Sequence, residues 1–222
     1  MSVKSVLAEL KALGTEKQRD YAASKGAGDH QFGVKMGDIR KVAKGIKKDD
    51  ALARKLWATG NIEAQLVTTL IVKPKSLSVD ELDEMVQSVS YHWLQDWLMN
   101  YVVKKHPEKE VLRQRWMKAR AKSAAARAGW ALTAERVAKD PDGLDLDKLL
   151  DTLESKMGQA EEVRQWTMNI CLAEIGIHHP QHRERAVEIG EKLGVYRELK
   201  VPKGCTSPYA PEWIAKMVSQ KK

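Results

Sequence analysis

Helical spacing of apolar residues extends along almost the whole chain and limits the fold more than any other feature. Apolar side chains recur at intervals of three and four residues, and no segment alternates convincingly as a strand would. Helix-start signals divide this pattern, for example Ser78 with Glu81 three residues later, which forms a capping box. The sequence therefore predicts an all-α protein.

The predicted helices pair into hairpins. The second helices of successive hairpins begin near Asn61, Ser90, Ser123 and Ala160, about thirty to forty residues apart. That spacing is the period of HEAT-type repeats, whose stacked hairpins curve into a solenoid. We predict a HEAT-like solenoid (α-α superhelix) with a concave face. It would form a single domain over residues 1–222, with an irregular tail from about residue 195.

The sequence also indicates the cell compartment and whether the chain associates with a membrane. The N-terminal stretch is amphipathic, and no apolar run approaches membrane-spanning length. The two cysteines, Cys171 and Cys205, suit a reducing compartment and do not indicate a disulfide framework. We expect a cytoplasmic monomer with no membrane partner.

Charge is unevenly distributed along this chain, whose net charge is +8. Lys104 to Arg127 contains nine basic residues against two glutamates, and Lys35 to Lys48 contains six against Asp38 alone, whereas Asp140 to Glu162 is acidic. Segregated charge of this kind indicates a polyanionic partner. Two solvated helix faces with a basic bias would give the same composition, so both interpretations stay open.

The central stretch, SYHWLQDWLMN from Ser90 to Asn100, gathers aromatic residues around Asp96. At about 100° per residue, the side expected to face the core carries Tyr91, Leu94, Leu98, Tyr101 and Val102. Another side carries Trp93, Asp96, Asn100 and Lys104. Packing alone would not place an indole beside a carboxylate, so this side is expected to line a cleft. Trp97 lies nearer the apolar side and is expected to be structural.

A later helix carries one arginine among alanines. Arg127, Ala131, Ala134 and Ala138 share one side, where small side chains would let a partner surface approach Arg127. Tight helix packing with Arg127 at the rim explains the same pattern.

These features together resemble the AlkD-type DNA alkylation repair family, which is built from HEAT-like repeats. The resemblance spans almost the full chain and rests on four stretches. They are GVKMGDIRKVAK (33–44), the Trp93-x-x-Asp96 stretch, RAGWAL (127–132), and VRQWTMNICLAEIG (163–176) with its later tail CTSPYAPEWI (205–214).

The resemblance implies a DNA glycosylase that hydrolyses the N-glycosidic bond of cationic alkylpurines such as 3-methyladenine and 7-methylguanine. Asp96 would correspond to the family's central aspartate and Arg127 to its helix-borne arginine. A cationic base is a good leaving group, so a carboxylate that stabilises the oxocarbenium-like sugar suffices. Aromatic rings would add cation–π attraction toward a positive sugar or base. The lesion would be held against the concave, DNA-binding face without a deep base pocket.

The sequence departs from the family pattern at two aromatic positions. The central run reads His92-Trp93-Leu94-Gln95-Asp96, so His92 occupies the place expected for the aromatic residue. A second aromatic expected near Met168 to Ile170 is absent, with Trp166 one turn away. A non-catalytic DNA-structure-binding protein of the same family is therefore the alternative function, and a protein-binding helical scaffold is a third.

The candidate site follows from these observations. Asp96 is the catalytic candidate. The candidates for binding duplex DNA, including alkylated DNA, are Trp93, His92, Arg127, Lys104, Lys118, Arg120, Lys122 and Arg40. No metal or other cofactor is expected, because the histidines from His178 to His182 offer no fourth ligand. The Gly26 to Gly37 loop lacks the Lys-Ser/Thr of a P-loop, although the helix that follows it could touch a phosphate.

Overall fold

The computed structural model describes residues 1–220. Within them the chain forms thirteen α-helices, three single-turn 3-10 helices and no strand, which confirms the all-α prediction. The chain divides into two compact units, Met1–Leu112 and Arg113–Lys222. A single domain over residues 1–222 stays a prediction.

The first unit contains seven complete helices. They are α1 (Val3–Leu13), α2 (Glu16–Ser24), α3 (Met36–Ile46), α4 (Asp50–Trp57), α5 (Ile62–Ile71), α6 (Val79–Ser88) and α7 (His92–Tyr101). Helix α5 lies at the centre of this unit, because α3, α4 and α7 all pack against it. Its sequence is apolar almost all round, as expected of a helix with neighbours on several sides.

The unit boundary falls within α8 (Lys109–Met117). The second unit continues with α9 (Ala124–Lys139), α10 (Leu146–Lys156), α11 (Glu162–His178), α12 (Pro180–Leu193) and α13 (Ala210–Ser219). Helix α11 packs against α9, α12 and α13, and α10 packs against α12. Helices two apart in the chain therefore lie side by side in both units, as in stacked helical hairpins.

The predicted starts of the second helices are confirmed to within two residues. Asn61 and Ser123 are N-caps whose side chains accept the amide N–H of Ala64 and Ala126. The N-cap of α4 is Asp49, and α7 begins at His92 after Tyr91, its extended N-cap residue.

A buried acid fixes the loop between α2 and α3. The Glu63 carboxylate, 3% exposed, accepts the amide N–H of Phe32, Gly33 and Val34 at 3.0, 2.8 and 3.2 Å. Gly33 has φ +78°, and a Cβ there would lie 2.5 Å from the backbone of both Thr15 and Arg19. These amides are thus occupied by a protein carboxylate rather than available to a phosphate.

This loop also positions α2. That helix buries none of its residues, so a core face does not hold it in place. The amide of Thr15 instead donates to the carbonyl of Gly33 at 3.0 Å. The hydrogen bonds to Glu63 therefore determine where α2 lies.

We expect Glu63→Gln to lower the free energy of unfolding by about 2–3 kcal/mol. A carboxamide keeps the size but loses the charge, and its NH2 group would face a backbone donor. Urea denaturation would measure the loss. The matched control is Glu84→Gln at an exposed position of α6, for which a change within about 0.5 kcal/mol is expected. Equal stability of the two variants would contradict this role of Glu63.

Candidate nucleic-acid interface

Helix α7 presents an acid and an indole on its accessible side. Leu94, Leu98 and Val102 are buried, whereas Trp93 and Asp96 are half-buried. The predicted division of this helix is thus confirmed for these residues. Tyr101, expected in the core, is half-buried instead. On the accessible side the Lys104 ammonium donates to Asn100 Oδ1 at 2.9 Å.

Three rings lie around Trp93 and form with it the aromatic cluster, defined here as Tyr21, Tyr91, His92 and Trp93. The centroid of Trp93 lies 5.8 Å from that of Tyr21, 6.0 Å from Tyr91 and 6.1 Å from His92. The Lys25 ammonium lies 6.0 Å from the Tyr21 centroid. An electron-rich surface of this kind can attract a cationic base or sugar.

Sequence reasoning missed Tyr21. It belongs to α2, which buries none of its residues, and its side chain is 47% exposed. The one available signal was a large aromatic residue on a helix that has no apolar face to bury it.

Tyr91 differs from Tyr21 because it is buried. Burial, followed by smaller effects of Tyr21 and Glu63, raises the pKa of its phenol to about 12. The Tyr91 side chain therefore stays neutral at physiological pH and forms the floor of the cluster.

A second surface, the basic groove, lies at the C-terminal end of α7. It has a volume of about 460 Å³ and is lined by Arg40, Ala43, Lys44, Lys47, Lys48, Leu70 and Tyr101. The Arg40 guanidinium lies 4.5 Å from the Trp97 ring centroid, and its Nη2 donates to the Tyr101 hydroxyl at 3.1 Å. The half-buried Trp97 ring, which was expected to be structural, thus supports an exposed arginine.

The lysines of this groove have different roles. Lys48 Nζ donates to the carbonyls of Leu70 and Val72, both at 2.9 Å, and so satisfies the C-terminal end of α5. Burial and the neighbouring charge of Lys105 lower the pKa of Lys48. Lys44 and Lys47 are exposed, so they and Arg40 supply the accessible positive charge.

Two comparisons with known proteins found similarity to this chain. The family model described as DNA alkylation repair enzyme matches residues 6–214. The chain belongs to this family. One solved structure is similar with a TM-score of 0.79 and 26% identity, over all of this chain and 95% of the other. It is described as belonging to "a new family of proteins related to the HEAT-like repeat DNA glycosylases with affinity for branched DNA structures". No curated protein matched.

Membership of the DNA alkylation repair family confirms the resemblance identified from the sequence, and the solved relative confirms the HEAT-like helical-repeat fold. Among residues 1–220, no helix is both long and apolar enough to cross a bilayer.

The second unit of this family member contains the remaining sequence-predicted residues. Lys118, Arg120 and Lys122 are exposed between α8 and α9, and Lys122 pairs with Glu161 at 3.5 Å. Arg127 was expected on an accessible face, but it is only 3% exposed and its Nε donates to the Val163 carbonyl at 3.2 Å. That expectation was wrong, because α9 and α11 pack closely enough to enclose the guanidinium.

Trp166, which lies one turn from the position where a second aromatic residue was expected, is also accessible. Trp166 is 37% exposed and contacts Tyr196 edge-on, with ring centroids 5.4 Å apart. Burial, with a smaller effect of Glu162, raises the pKa of Tyr196 to about 12. The second unit therefore has an aromatic pair of its own.

The three histidines near Pro180 do not converge. His178 pairs with Glu174 at 3.0 Å, His179 contacts the Val137 carbonyl at 2.9 Å, and His182 lies 3.4 Å from Asp147. In the part of the chain that the structure describes, no group of three or more His, Cys, Asp or Glu could hold a metal ion.

Because the pKa of Tyr91 is high, the free energy of unfolding should depend on pH in the alkaline range. The folded-state pKa of about 12 exceeds the unfolded value near 10, so folding favours the neutral phenol. This stabilisation is fully present below about pH 10 and is lost as pH rises toward about 12. We expect the unfolding free energy of the wild type to fall more steeply over that interval than that of Tyr91→Phe. Urea titrations across the interval would measure both slopes, and parallel slopes would contradict the assignment.

Proposed function

We propose that this protein binds duplex DNA through its first unit and hydrolyses the N-glycosidic bond of cationic alkylpurines such as 3-methyladenine and 7-methylguanine. The observation that supports this most directly is the half-buried Asp96 on the same side of α7 as Trp93, within a family of DNA alkylation repair enzymes.

The chemistry requires little from the protein. Alkylation gives the base a positive charge, so the bond between C1′ and the base nitrogen breaks with the electron pair leaving on a neutral base. Asp96 would stabilise the positive charge that develops on the sugar and orient the attacking water, whose proton is then released. The aromatic cluster would hold the cation by cation–π attraction. No metal and no strong general acid is needed.

The basic groove would bind the DNA backbone. Arg40 is held by Trp97 on one side and Tyr101 on the other, so little side-chain entropy remains to be lost when a phosphate binds. Lys44 and Lys47 add charge beside it. Contacts of this type fix position on DNA but carry no sequence information.

A second candidate function is binding of branched DNA without excision. The solved relative is described by its affinity for branched DNA structures, and it is similar over the whole of this chain. The presence of His92 where an aromatic is expected, and of buried Asn169 near the second expected position, also favours this candidate. Both functions use the same first-unit surface.

We infer a cytoplasmic location. Both Cys171 and Cys205 are free thiols, which is typical of proteins in a reducing compartment.

Arg40→Gln should weaken duplex DNA binding by about tenfold or less, whatever the sequence, and should reduce the slope of log K against log salt by about 0.9. Fluorescence anisotropy at several salt concentrations would measure both quantities. Lys55→Gln removes one exposed charge of the same unit outside the groove and serves as the matched control. An equal effect of the two substitutions would show that only net charge matters.

Excision is tested with methylated duplex DNA in the presence of a chelator, by quantifying the released bases. We expect release of 3-methyladenine and 7-methylguanine but not of uracil, a neutral base that would need a general acid. Asp96→Asn should slow release by about a hundredfold or more while leaving binding to undamaged DNA nearly unchanged. Asp29→Asn, an exposed acid of the same unit, should have no effect.

The outcomes separate the two candidates. No release by the wild type, together with tighter binding of three- or four-way junctions than of linear duplex, would reject the glycosylase and support branched-DNA binding. Unchanged release by Asp96→Asn would remove Asp96 from the mechanism.

A further inference from the structure

The second unit contains a recessed pocket that has no part in the proposed DNA chemistry. Its volume is about 420 Å³, and it lies among α8, α9, α10 and the start of α11. Trp116, Trp130 and Met168 form apolar walls, while Lys156, Gln159 and Arg164 supply the long polar side chains. The volume lies within the range of sites for small molecules.

Arg164 lacks a protein partner for its charge. Among residues 1–220 its guanidinium makes no hydrogen bond or ion pair, and its Nε is buried without an acceptor. Two other arginines of this unit are satisfied, since Arg183 donates to the Gly176 carbonyl at 2.7 Å and Arg185 pairs with Asp147 and Asp151. A buried polar group without a partner is uncommon in native proteins and indicates that something else satisfies the side chain.

All the charged side chains that line this pocket are positive. Two cations, Lys156 and Arg164, line the pocket, and no acid does. The N–H groups of an arginine guanidinium and the ammonium of a lysine can together bind the oxygen atoms of a phosphate or carboxylate. The lining therefore favours an anion.

The walls distinguish a small ligand from DNA. Trp116 and Trp130 line the pocket although they are only 1% and 7% exposed, so the apolar surface is recessed. A duplex backbone is too wide to enter a recess of this volume. A small molecule with one anionic group and one apolar or planar part would fill it.

We infer that this pocket binds a free phosphate monoester of nucleotide size, with Arg164 and Lys156 binding the phosphate and the indole walls accommodating the remainder. This site is separate from the proposed DNA function and does not depend on it.

Isothermal titration calorimetry of the full chain at low salt tests the inference with three probes: inorganic phosphate, adenosine 5′-monophosphate and adenosine. We expect saturable binding of the monophosphate with a Kd between about 1 µM and 1 mM, weaker binding of phosphate, and none of adenosine. The monophosphate should also raise Tm, because it binds only the folded state.

Substitutions locate the site. Arg164→Gln should weaken monophosphate binding by about tenfold or more and Lys156→Gln by about threefold or more. Lys148→Gln removes an exposed charge from the same helix as Lys156, outside the pocket, and should leave binding unchanged. Circular dichroism of each variant checks folding. If Arg164→Gln does not fold, Lys156→Gln against Lys148→Gln decides the question.

Three results would overturn the inference. They are absence of saturable binding of both phosphate-bearing probes at up to about 10 mM, equal binding of adenosine and its monophosphate, and unchanged monophosphate affinity in folded Arg164→Gln and Lys156→Gln. Loss of DNA affinity in Arg164→Gln without any binding of small phosphates would instead assign the arginine to DNA and reject the small-ligand site.

Discussion

Three backbone amides of one loop donate to the buried carboxylate of Glu63, and the accessible surface of the first unit depends on that contact. Helix α2 has no buried face, so its position follows from the loop that Glu63 holds. Tyr21, which lies on α2, packs against Trp93 of α7. A charged group on the central helix α5 therefore determines whether the aromatic cluster can assemble. A buried acid that satisfies three donors is a stronger constraint than apolar packing of comparable size, because removing it leaves those donors unpaired.

Helix α7 links the two candidate surfaces of this unit. Trp93 and Trp97 are four residues apart, so their side chains are neighbours along the helix. The first belongs to the aromatic cluster, and the second supports Arg40 in the basic groove. One rigid helix thus positions both an electron-rich surface suited to a cationic lesion and a cationic surface suited to a phosphate. This arrangement would let backbone binding and lesion recognition occur together without movement of either surface relative to the other.

The elements that the sequence predicted well are those with local causes. Ser78 and Glu81 form the predicted capping box. Such caps involve residues three or four apart, so a single sequence displays them. Leu94 and Leu98 were placed in the core correctly because helical periodicity alone assigns a face. The error at Arg127 has a different origin. The environment of this side chain depends on the carbonyl of Val163, which lies in a distant segment.

The sequence by itself determined the helical class, the helix boundaries, the repeat spacing and the position of Asp96 beside Trp93. Each of these follows from interactions within one or two helical turns. Only the tertiary structure decided that Tyr21 completes the aromatic cluster, that Arg40 is held by Trp97 and Tyr101, and that Arg127 is enclosed. Arg40 and Tyr101 are separated by 61 residues, and no local pattern indicates which distant side chains will meet. Contacts of that range arise only when stacked helices bury their apolar faces, because burial and not local propensity sets the packing.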